Sequence, residues 1–361
     1  MRYKTSVFIN KREISINNPV YFVADIASNH DGDLERAKNL IWLAKEAKAD
    51  AVKFQHFKAE KLVSDYGFKK MNSQVSHQKK WKKSVFEIYK QYECKRNWTE
   101  ELIKTAKEAN IDFFTAPYDF EALEIFESNI PAYKIGSGDI TRIDFIEKIA
   151  QKGKTVILST GASTIKDVQR AVEAILRFNK EVAILQCNTN YTGNIENMEY
   201  INLNVLKSYS TMYPGMILGL SDHTKGYATV LGAVTLGARI IEKHFTDDND
   251  REGPDHSFAL TPIDWKDMIE RSKELEAALG DGIKKVEENE KETVIVQRRC
   301  LRVNRKIEKG EKITEDMLEE LRPSPKNSIQ PYEIKKILGR KLNKEKENGE
   351  ALYFTDFYDE F

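Results

Sequence analysis

Cysteine is scarce in this sequence of 361 residues, which contains only Cys94, Cys187 and Cys300. The three are too far apart along the chain to suggest a disulfide framework or a zinc knuckle. A long hydrophobic run is also missing, because the most apolar stretch, residues 227–241, is too short to span a bilayer and contains an arginine. The opening residues have no apolar core of the kind that a signal peptide needs. We therefore predict a soluble protein of the reducing cytoplasm that does not enter a membrane.

An excess of charge of either sign is absent, since lysine and arginine total 57 and aspartate and glutamate also total 57. A balanced chain gives no reason to expect nucleic acid or an anionic membrane as a partner. A local basic pocket for a small anion is compatible with that balance. Apolar residues make up 40% of the chain, which is enough for a buried core and excludes wholesale disorder.

Short apolar or β-branched runs alternate with helical patterns after an opening stretch, SVFINKREISIN, whose alternation predicts a hairpin. The runs predict eight buried strands, at residues 21–27, 51–57, 111–117, 132–136, 155–160, 182–187, 216–220 and 238–244. Such alternation is typical of an α/β protein with a parallel (β/α)8 barrel, the TIM-barrel fold. A doubly wound open sheet is the alternative, and the even spacing of the units favours the closed barrel.

The helix patterns fall between these strands. In the first, apolar residues recur at the i, i+3, i+4, i+7 spacing of one helix face, at Ala37, Leu40, Ile41, Ala44 and Ala47. Asn97 stands before WTEE and resembles an N-cap with a glutamate three residues later. Further helices are predicted over 119–128, 142–151, 164–179, 200–212, 226–237 and 262–280.

Two parts of the chain depart from the alternation. Residues 58–97 form a long segment after the second predicted strand, and such insertions are often lids. A plain surface excursion is the equal alternative for this segment. After Gly282 the chain becomes charged and then rich in short strands and turns. We predict a barrel domain over residues 1–282, a linker over 283–296 and a small, mostly β module over 297–361.

Polar side chains stand at the carboxyl ends of the predicted strands, where the loops of a (β/α)8 barrel form the active-site mouth. A structural barrel interior is filled by apolar layers, and a buried charge costs several kcal/mol unless it is paired or bound. This polarity therefore predicts a functional site. Its residues are Asp25, Lys53, Gln55, Thr115, Lys134, Ser137, Asp139, Ser159, Asn188, Thr189, Tyr191, Ser221, His223, Glu242, His244 and Asp255.

The residue types suggest two ligands. Lys53 and Lys134, among small hydroxyl residues, suit an anion that carries a phosphate. His223 and His244 end adjacent strands, which lie about 4.8 Å apart, so both rings can reach one divalent metal such as Mn²⁺ or Mg²⁺. A single histidine at a strand end is more often hydrogen-bonded than metal-bound, but two at matching ends favour a metal site. His56 is predicted to face the helices.

Six stretches, in order and in spacing, resemble the sialic acid (nonulosonic acid) synthase family, of the N-acetylneuraminate synthase type. They are VADIASNHDGD, AVKFQ, PAYKIGSGD, ILSTGAS, LGLSDHT and EKHFTDD followed by REGPDHSFAL. The later stretch RRCLRVNRKIEKGEKITEDMLEELRP is similar to the antifreeze-like (SAF, β-clip) domain that closes these enzymes. The resemblance covers nearly the whole chain, and the combination of GLSDHT with KHFTDD and GPD is its specific part.

The resemblance implies a metal-dependent condensation of phosphoenolpyruvate with an N-acetylated amino sugar, and it implies roles for individual residues. His223 and His244 would bind the metal. Phosphoenolpyruvate would be held by Lys53, Thr115, Lys134, Ser137, Ser159 and Ser221, with Asn188 or Thr189 helping. The amino sugar would face Gln55, Tyr191 and Asp255. Arg322 would reach into the barrel of the other subunit, which implies a domain-swapped homodimer. Asp25 and Asp139, with Lys53 and Lys134, would be catalytic.

The chain departs from the family pattern at Asp25 and Asp139, where glutamate is usual. Each aspartate retracts the carboxylate by one methylene, and a shift of about 1 Å can remove much of a catalytic effect. Either the pocket has moved with the charge, or the acceptor is not N-acetylmannosamine, or the activity is poor. In addition, RPSPKNSI stands where a glycine-rich loop is usual, and no proline follows Tyr191 directly.

Several readings of the function stay open at this point. The acceptor could be N-acetylmannosamine, a di-N-acetylated 6-deoxyhexose that leads to legionaminic or pseudaminic acid, or a related bacillosamine-derived sugar. Another phosphoenolpyruvate-dependent synthase acting on a phosphosugar would need a second phosphate site, which the sequence does not reveal. A non-catalytic sugar-binding protein on a decayed synthase barrel is supported only by the two aspartates.

Overall fold

Eight parallel strands close into a barrel in the computed structural model, which describes residues 3–71, 78 and 81–358. The strands are β3 (Tyr21–Asp25), β4 (Ala51–His56), β5 (Asp112–Pro117), β6 (Ala132–Ile135), β7 (Thr155–Ser159), β8 (Val182–Cys187), β9 (Ile217–Asp222) and β10 (Ile240–His244). They follow one another around the barrel, and β10 pairs with β3 to close it. All eight predicted strands are confirmed, and so is the (β/α)8 barrel.

Most helices cover the outside of the barrel, between consecutive strands. Their bounds are α1 (Leu34–Glu46), α2 (Ala59–Leu62), α3 (Asp65–Lys70), α4 (Val85–Gln91), α5 (Thr99–Glu108), α6 (Phe120–Phe126), α7 (Ile143–Gln151), α8 (Ile165–Phe178), α9 (Val205–Met212), α10 (Ala228–Thr235) and α11 (Pro262–Leu279). Side-chain caps fix several starts: Thr164 and Asp167 form a capping box before α8, and Thr261 caps α11 ahead of Pro262.

Two helix starts differ from the sequence prediction. Asn97 is not the N-cap of α5, because it lies inside a 3-10 turn, Arg96–Trp98, and α5 begins at Thr99 without a side-chain cap. The helix predicted over 200–212 begins only at Val205, since residues Ile195–Tyr200 form a separate 3-10 helix. In both places a 3-10 turn precedes the α-helix, and the hydrophobic period does not distinguish the two helix types.

An antiparallel hairpin, β1 (Ser6–Ile9) with β2 (Arg12–Ser15), lies against the amino-terminal ends of the barrel strands, as the opening alternation predicts. The Thr155 hydroxyl, at the start of β7, donates to the carbonyl oxygen of Phe8 over 2.7 Å. Arg12 forms an ion pair with Asp50, immediately before β4. Val7, Ile9 and Ile14 are fully buried in the barrel core. The hairpin therefore covers this end and leaves the carboxyl ends of the strands for a site.

The chain divides into two compact units, Met1–Gly280 and Asp281–Phe361. The second unit contains α12 (Lys291–Gln297) and the antiparallel pair β11 (Cys300–Val303) and β12 (Leu318–Leu321). It has its own apolar core, formed by Leu301, Val303, Ile307, Ile313, Ile329, Ile337, Leu342, Leu352 and Phe357. Part of the predicted linker is thus helical, while the two predicted boundaries between barrel domain, linker and module stay predictions.

Among the described residues, the structure has no helix that is both long and apolar enough to cross a bilayer.

A fully buried ion pair joins the ends of β9 and β10 on the helix side of the barrel wall. Lys243 Nζ lies 2.5 Å from Asp222 Oδ2, which also accepts hydrogen bonds from the hydroxyls of Thr224 (2.9 Å) and Thr229 (2.8 Å). Burial alone would raise the pKa of Asp222, but Lys243 and the two hydroxyls hold it below its ordinary value. Side chains alternate along a strand, so this outward pair leaves the next residues, His223 and His244, directed inward.

Removal of Lys243 tests the contribution of this pair to stability. The variant Lys243→Met leaves Asp222 buried without its counter-charge, and we expect the free energy of unfolding to fall by about 3–5 kcal/mol. Urea denaturation followed by circular dichroism gives the measurement. The double variant Asp222→Asn/Lys243→Met should recover part of the loss, and Lys225→Met, at an exposed neighbouring position, should stay near wild type. A loss below about 1 kcal/mol would contradict the expectation.

Candidate active site

A cavity of about 330 Å³ opens at the carboxyl ends of the barrel strands. Its lining combines charged and hydroxyl side chains of the strands with apolar side chains of the segment after β4. The strands and the loops after them contribute Asp25, Ser28, Lys53, Gln55, Phe57, Tyr118, Lys134, Ser137, Ser159, Cys187, Tyr191, Ser221, His223, Glu242, His244, Pro254 and Asp255. The segment contributes Leu62, Val63, Phe68, Trp81, Ile88, Tyr89 and Tyr92. Residues from distant parts of the sequence thus meet in one place.

Glu242 lies between the two buried lysines. Its Oε1 atom is 3.5 Å from Lys53 Nζ and 3.4 Å from Lys134 Nζ, and it accepts a hydrogen bond from the Ser221 hydroxyl over 3.1 Å. All three charged side chains are at most 5% exposed. Two ammonium groups therefore converge on one carboxylate, and ammonium groups suit an anion as their ligand.

Asp25 completes the charged cluster. Its Oδ2 atom is 2.7 Å from Lys53 Nζ and 3.6 Å from His244 Nε2, and it accepts a hydrogen bond from Gln55 Nε2 over 3.3 Å. The other carboxylate oxygen, Oδ1, accepts a hydrogen bond from the backbone N–H of Ala27 over 3.0 Å. The Asp25 carboxylate therefore contacts both the lysine cluster and one of the two histidines, His244.

Burial and the neighbouring charges shift the pKa values of these four side chains in different directions. Burial lowers the pKa of Lys134 below its ordinary value, and Lys53 beside it adds to the effect while Glu242 opposes it. Burial would also lower the pKa of Lys53, but Asp25 and Glu242 raise it above its ordinary value. Burial would raise the pKa of Glu242, yet the two lysines bring it down to about 2. Glu242 is therefore ionised at neutral pH. Burial raises the pKa of Asp25 against the pull of Lys53.

Several buried polar atoms of the cavity have no hydrogen-bond partner among the described residues: Ser159 Oγ, Glu242 Oε2 and His244 Nδ1. A buried polar atom without a partner costs free energy, so such atoms mark places where a ligand can bind. Ser137 Oγ already accepts a hydrogen bond from the backbone N–H of Gly161 over 2.9 Å. With Lys53 and Lys134, these hydroxyls form a site that suits an anion.

Gly161 keeps this part of the wall close to its neighbours. A Cβ atom at this position would lie 2.5 Å from Thr189 Cγ2 and 2.9 Å from Ser137 Oγ. Both distances are shorter than real Cβ contacts, so any larger residue would displace the side chains beside the cavity. Close packing against Thr189 and Ser137 therefore explains why a glycine stands at this position of the ILSTGAS stretch.

The rings of His223 and His244 lie side by side, with their centroids 5.1 Å apart. His223 Nδ1 is 2.8 Å from the carbonyl oxygen of Asn188. A carbonyl can only accept, so Nδ1 carries the proton and Nε2 keeps a free lone pair, the arrangement of a metal-ligating histidine. Burial lowers the pKa of His223 to about 3 and that of His244 to about 4, so both rings are neutral at pH 7.

These residues fit a divalent metal in part. Two neutral imidazoles lie side by side, one of them, His244, is 3.6 Å from the Asp25 carboxylate, and His244 Nδ1 is a buried nitrogen without a partner among the described residues. Within residues 3–71, 78 and 81–358, no group of three or more His, Cys, Asp and Glu side chains converges as metal ligands. Mn²⁺ and Mg²⁺ commonly complete their coordination with water or substrate oxygens, so two histidine ligands from the protein are compatible with such an ion.

The structure does not bring Thr115 to the cavity. Its hydroxyl donates to the carbonyl oxygen of Phe54 over 3.0 Å and lies 2.8 Å from His56 Nδ1. His56 in turn lies 3.3 Å from Cys94 Sγ and packs on Phe126 of α6, on the helix side of the wall. Thr115 therefore points outward because its strand places it in the alternate register. His56 faces the helices, as predicted.

Four other predicted residues also lie outside the lining. Asp139 is buried in the 3-10 turn after β6, where its carboxylate is 3.3 Å from Arg142. The Asn188 side chain donates to the carbonyl oxygen of Tyr200, so that only its backbone serves the site, through His223. Thr189 borders Gly161. Arg322 is exposed in the second unit.

From the sequence, Glu242 is predicted at a strand end, without a predicted role. Its position two residues before His244 is the available signal, since residues i and i+2 of a strand share a face. Tyr118 and the apolar residues of the segment after β4 were not identified either. Their side chains reach the cavity through tertiary packing, which no local pattern records.

Comparison with known proteins gives a family. The model of the NeuB family matches residues 40–284, and that of the SAF domain matches residues 298–357. The chain is 33% identical over 334 residues to N,N'-diacetyllegionaminic acid synthase of Campylobacter jejuni, covering 91% of this chain and 98% of that protein. It is 31% identical over 332 residues to human N-acetylneuraminate-9-phosphate synthase, covering 92% and 90%.

A solved structure shares this architecture. The N-acetylneuraminic acid (sialic acid) synthetase of Leptospira borgpetersenii, crystallised with citrate, superposes with a TM-score of 0.71. The two chains are 27% identical, and the match covers 81% of this chain and 96% of that one. The barrel and the antifreeze-like module that the sequence predicts are thus confirmed.

Loss of one histidine tests the metal site. We expect His223→Ala to weaken Mn²⁺ binding at least about tenfold, because one of two imidazole ligands is removed. Electron paramagnetic resonance of free Mn²⁺ during titration gives the affinity without any need for activity. His256→Asn is the matched control, because His256 is buried but bonded to Asp31 (2.9 Å) and Thr246 (2.8 Å) outside the cavity lining. Equal affinity of His223→Ala and wild type would exclude this site.

Proposed function

The chain belongs to the NeuB family, and on that premise we propose that it condenses phosphoenolpyruvate with the open-chain aldehyde of an N-acetylated amino sugar. The products are a nine-carbon acid of the sialic, legionaminic or pseudaminic type and inorganic phosphate. The chain is therefore proposed to be a transferase that forms a carbon–carbon bond. One observation carries the proposal: two buried lysines and unpartnered polar atoms form an anion site directly beside a pair of neutral histidines.

Phosphoenolpyruvate is proposed to occupy the anion site. Lys53 and Lys134 supply positive charge, and the hydroxyls of Ser137, Ser159 and Ser221 supply hydrogen bonds. Because Ser159 Oγ has no partner among the described residues, it gains a hydrogen bond when an anion binds. Glu242 keeps both ammonium groups in place, since its Oε1 atom lies within 3.5 Å of each.

The amino sugar is proposed to bind beside the histidines, against Gln55, Tyr191 and Asp255. The Tyr191 ring lies 4.4 Å from the His223 ring, centroid to centroid, and Asp255 accepts a hydrogen bond from the backbone of Ser28 over 3.2 Å. His223 and His244 would hold the divalent ion, Mn²⁺ or Mg²⁺, which when bound acts as a Lewis acid toward a carbonyl oxygen. Gln55 stays near the reacting groups through its hydrogen bond to Asp25.

In the proposed reaction, C3 of the enol attacks the aldehyde carbon, and the new C–C bond leaves a cationic C2. Water adds to C2, and the C–O bond to phosphate then breaks to give the keto acid. Of the two water protons, one balances the new alkoxide and the other leaves with phosphate. Asp25 is the proposed acceptor of a proton from water, because it lines the cavity and burial raises its pKa, which makes the carboxylate a stronger base.

Phosphate release tests the reaction. Wild type, phosphoenolpyruvate and Mn²⁺ should release phosphate in the presence of a suitable acceptor, and EDTA should abolish the release. We expect Lys134→Gln to lower kcat/KM at least about 100-fold, since a charge that holds the phosphate is lost. Lys166→Gln, an exposed lysine of α8, is the control. Tight binding of phosphoenolpyruvate without release for any acceptor would instead favour a non-catalytic sugar-binding protein.

Asp25 and Asp139 are distinguishable by the same assay. We expect Asp25→Asn to lower kcat by about 100-fold or more, because the proposed proton acceptor is removed. Asp139→Asn should lower kcat by less than about tenfold, since that carboxylate meets Arg142 and not the cavity. A kcat–pH profile provides an independent readout, because the acidic limb should disappear in Asp25→Asn alone. The reverse order of effects would assign the catalytic role to Asp139.

We also propose a domain-swapped homodimer in which Arg322 of the partner subunit serves the sugar site. Light scattering should then give about 83 kDa, twice the chain mass of 41.6 kDa. Lys134→Gln and Arg322→Ala chains should each be weakly active alone. Co-expression should restore up to about a quarter of wild-type activity, because a mixed dimer has one site with both residues intact. Absence of any gain on co-expression would contradict the swap.

A further inference from the structure

Tyr118 stands directly after β5, between the carboxyl end of that strand and α6. The next residue, Asp119, caps α6, since its carboxylate accepts a hydrogen bond from the backbone N–H of Ala122 over 2.9 Å. The half-buried side chain of Tyr118 lines the cavity. The barrel mouth therefore receives a phenol from a point where a helix cap fixes the main chain.

The Tyr118 hydroxyl lies against the loop that follows β6. A Cβ atom at Gly136 would be 3.3 Å from the hydroxyl oxygen, which is closer than most real Cβ contacts. The φ of Gly136 is −68°, an angle open to any residue, so the close approach of the phenol explains this glycine. Gly136 separates Lys134 from Ser137 in the sequence, and both belong to the anion site. The hydroxyl therefore lies at the edge of that site.

Arg142 fixes the main chain of Tyr118 from the other side. Its Nη1 atom donates to the Tyr118 carbonyl oxygen over 2.9 Å and is 3.3 Å from the Asp139 carboxylate. The Arg142 guanidinium also lies over the ring of Phe145, 4.3 Å from its centroid. The Tyr118 ring meets that of Phe57 edge to face, with centroids 5.9 Å apart. These contacts hold the phenol in place before a ligand binds, which lowers the entropic cost of using it.

The phenol is a hydrogen-bond donor at neutral pH. Burial raises the pKa of Tyr118 well above its ordinary value, and the nearby carboxylates, with Asp139 first among them, raise it further. Within the described residues, the Tyr118 hydroxyl makes no hydrogen bond of its own. A polar group at a cavity surface without a protein partner is available to a ligand.

The other hydroxyl of β5 is turned away from the cavity. Thr115, which the family resemblance implies as a phosphoenolpyruvate residue, donates instead to the carbonyl oxygen of Phe54 on the helix side of the wall. Tyr118, three residues later, brings a hydroxyl from the end of the same strand back to the cavity. The strand can thus supply the ligand with a hydroxyl from a position that the local sequence pattern does not reveal.

We propose that Tyr118 is a further substrate-binding residue, whose hydroxyl donates a hydrogen bond to an anionic oxygen of bound phosphoenolpyruvate. This inference rests on the proposed function and adds a contact to its phosphoenolpyruvate site. The position of the hydroxyl beside Gly136 assigns it to the anion and not to the sugar. A neutral donor strengthens binding without adding a charge to the buried cluster of lysines and carboxylates.

Direct titration with phosphoenolpyruvate tests the proposal. Calorimetry of the full-length protein with Mn²⁺ and without an acceptor gives the Kd in the absence of turnover. We expect Tyr118→Phe to raise this Kd at least about fivefold, because a hydrogen bond to a charged oxygen is lost while the ring stays. Tyr133→Phe is the matched control on β6, because the buried Tyr133 hydroxyl lies outside the cavity lining and has no partner among the described residues.

The affinity for Mn²⁺, measured by electron paramagnetic resonance, separates loss of one contact from general disruption of the cavity. We expect it to change less than about twofold in Tyr118→Phe. A smaller rise of the phosphoenolpyruvate Kd than fivefold, an equal rise in Tyr133→Phe, or a parallel loss of Mn²⁺ affinity would overturn the inference and leave the proposed function intact. A wild-type protein that binds no phosphoenolpyruvate would instead remove the proposed function, and the inference with it.

Discussion

The arrangement of Lys53, Glu242 and Lys134 is the interaction on which the rest of the site depends. Two ammonium groups inside a close-packed barrel are costly to desolvate, and one carboxylate within 3.5 Å of both keeps them charged in place. Asp25 and Glu242 together balance the formal charges of the two lysines, and the ammonium groups still offer N–H donors to an anion. The cluster thus places buried ammonium groups beside unpartnered polar atoms, an arrangement that suits an anion.

Strand alternation organises everything around that cluster. Inward positions carry Lys53 and Gln55 on β4, Ser221 before His223 on β9, and Glu242 with His244 on β10. The residues directly before the two histidines, Asp222 and Lys243, point outward and form a separate ion pair. The lysine–glutamate cluster and the Asp222–Lys243 pair therefore lie on opposite faces of the same strands. Each set of charges finds its hydrogen-bond partners on its own face.

The sequence was a good guide to the strands and to the inward charges, because both follow from periodicity that each strand carries by itself. Asp25, Lys53, Lys134 and the two histidines are brought together by the closure of the barrel, as strand-end positions predict. Thr115 does not face the cavity, because it pairs with Phe54 and not with the inward residues Lys53 and Gln55. The aromatic and aliphatic part of the cavity lining could not be predicted, since the helices of the segment after β4 are short and their packing on the cavity depends on contacts far apart in sequence.

The hairpin at the amino-terminal end of the barrel limits the routes by which a small molecule can reach the cavity. With Val7, Ile9 and Ile14 buried beneath the strands, that end is closed, and whatever reaches the cavity comes and goes through the opposite mouth. The hairpin, remote from the cavity, thereby leaves the carboxyl ends of the strands as the side from which the cavity is reached.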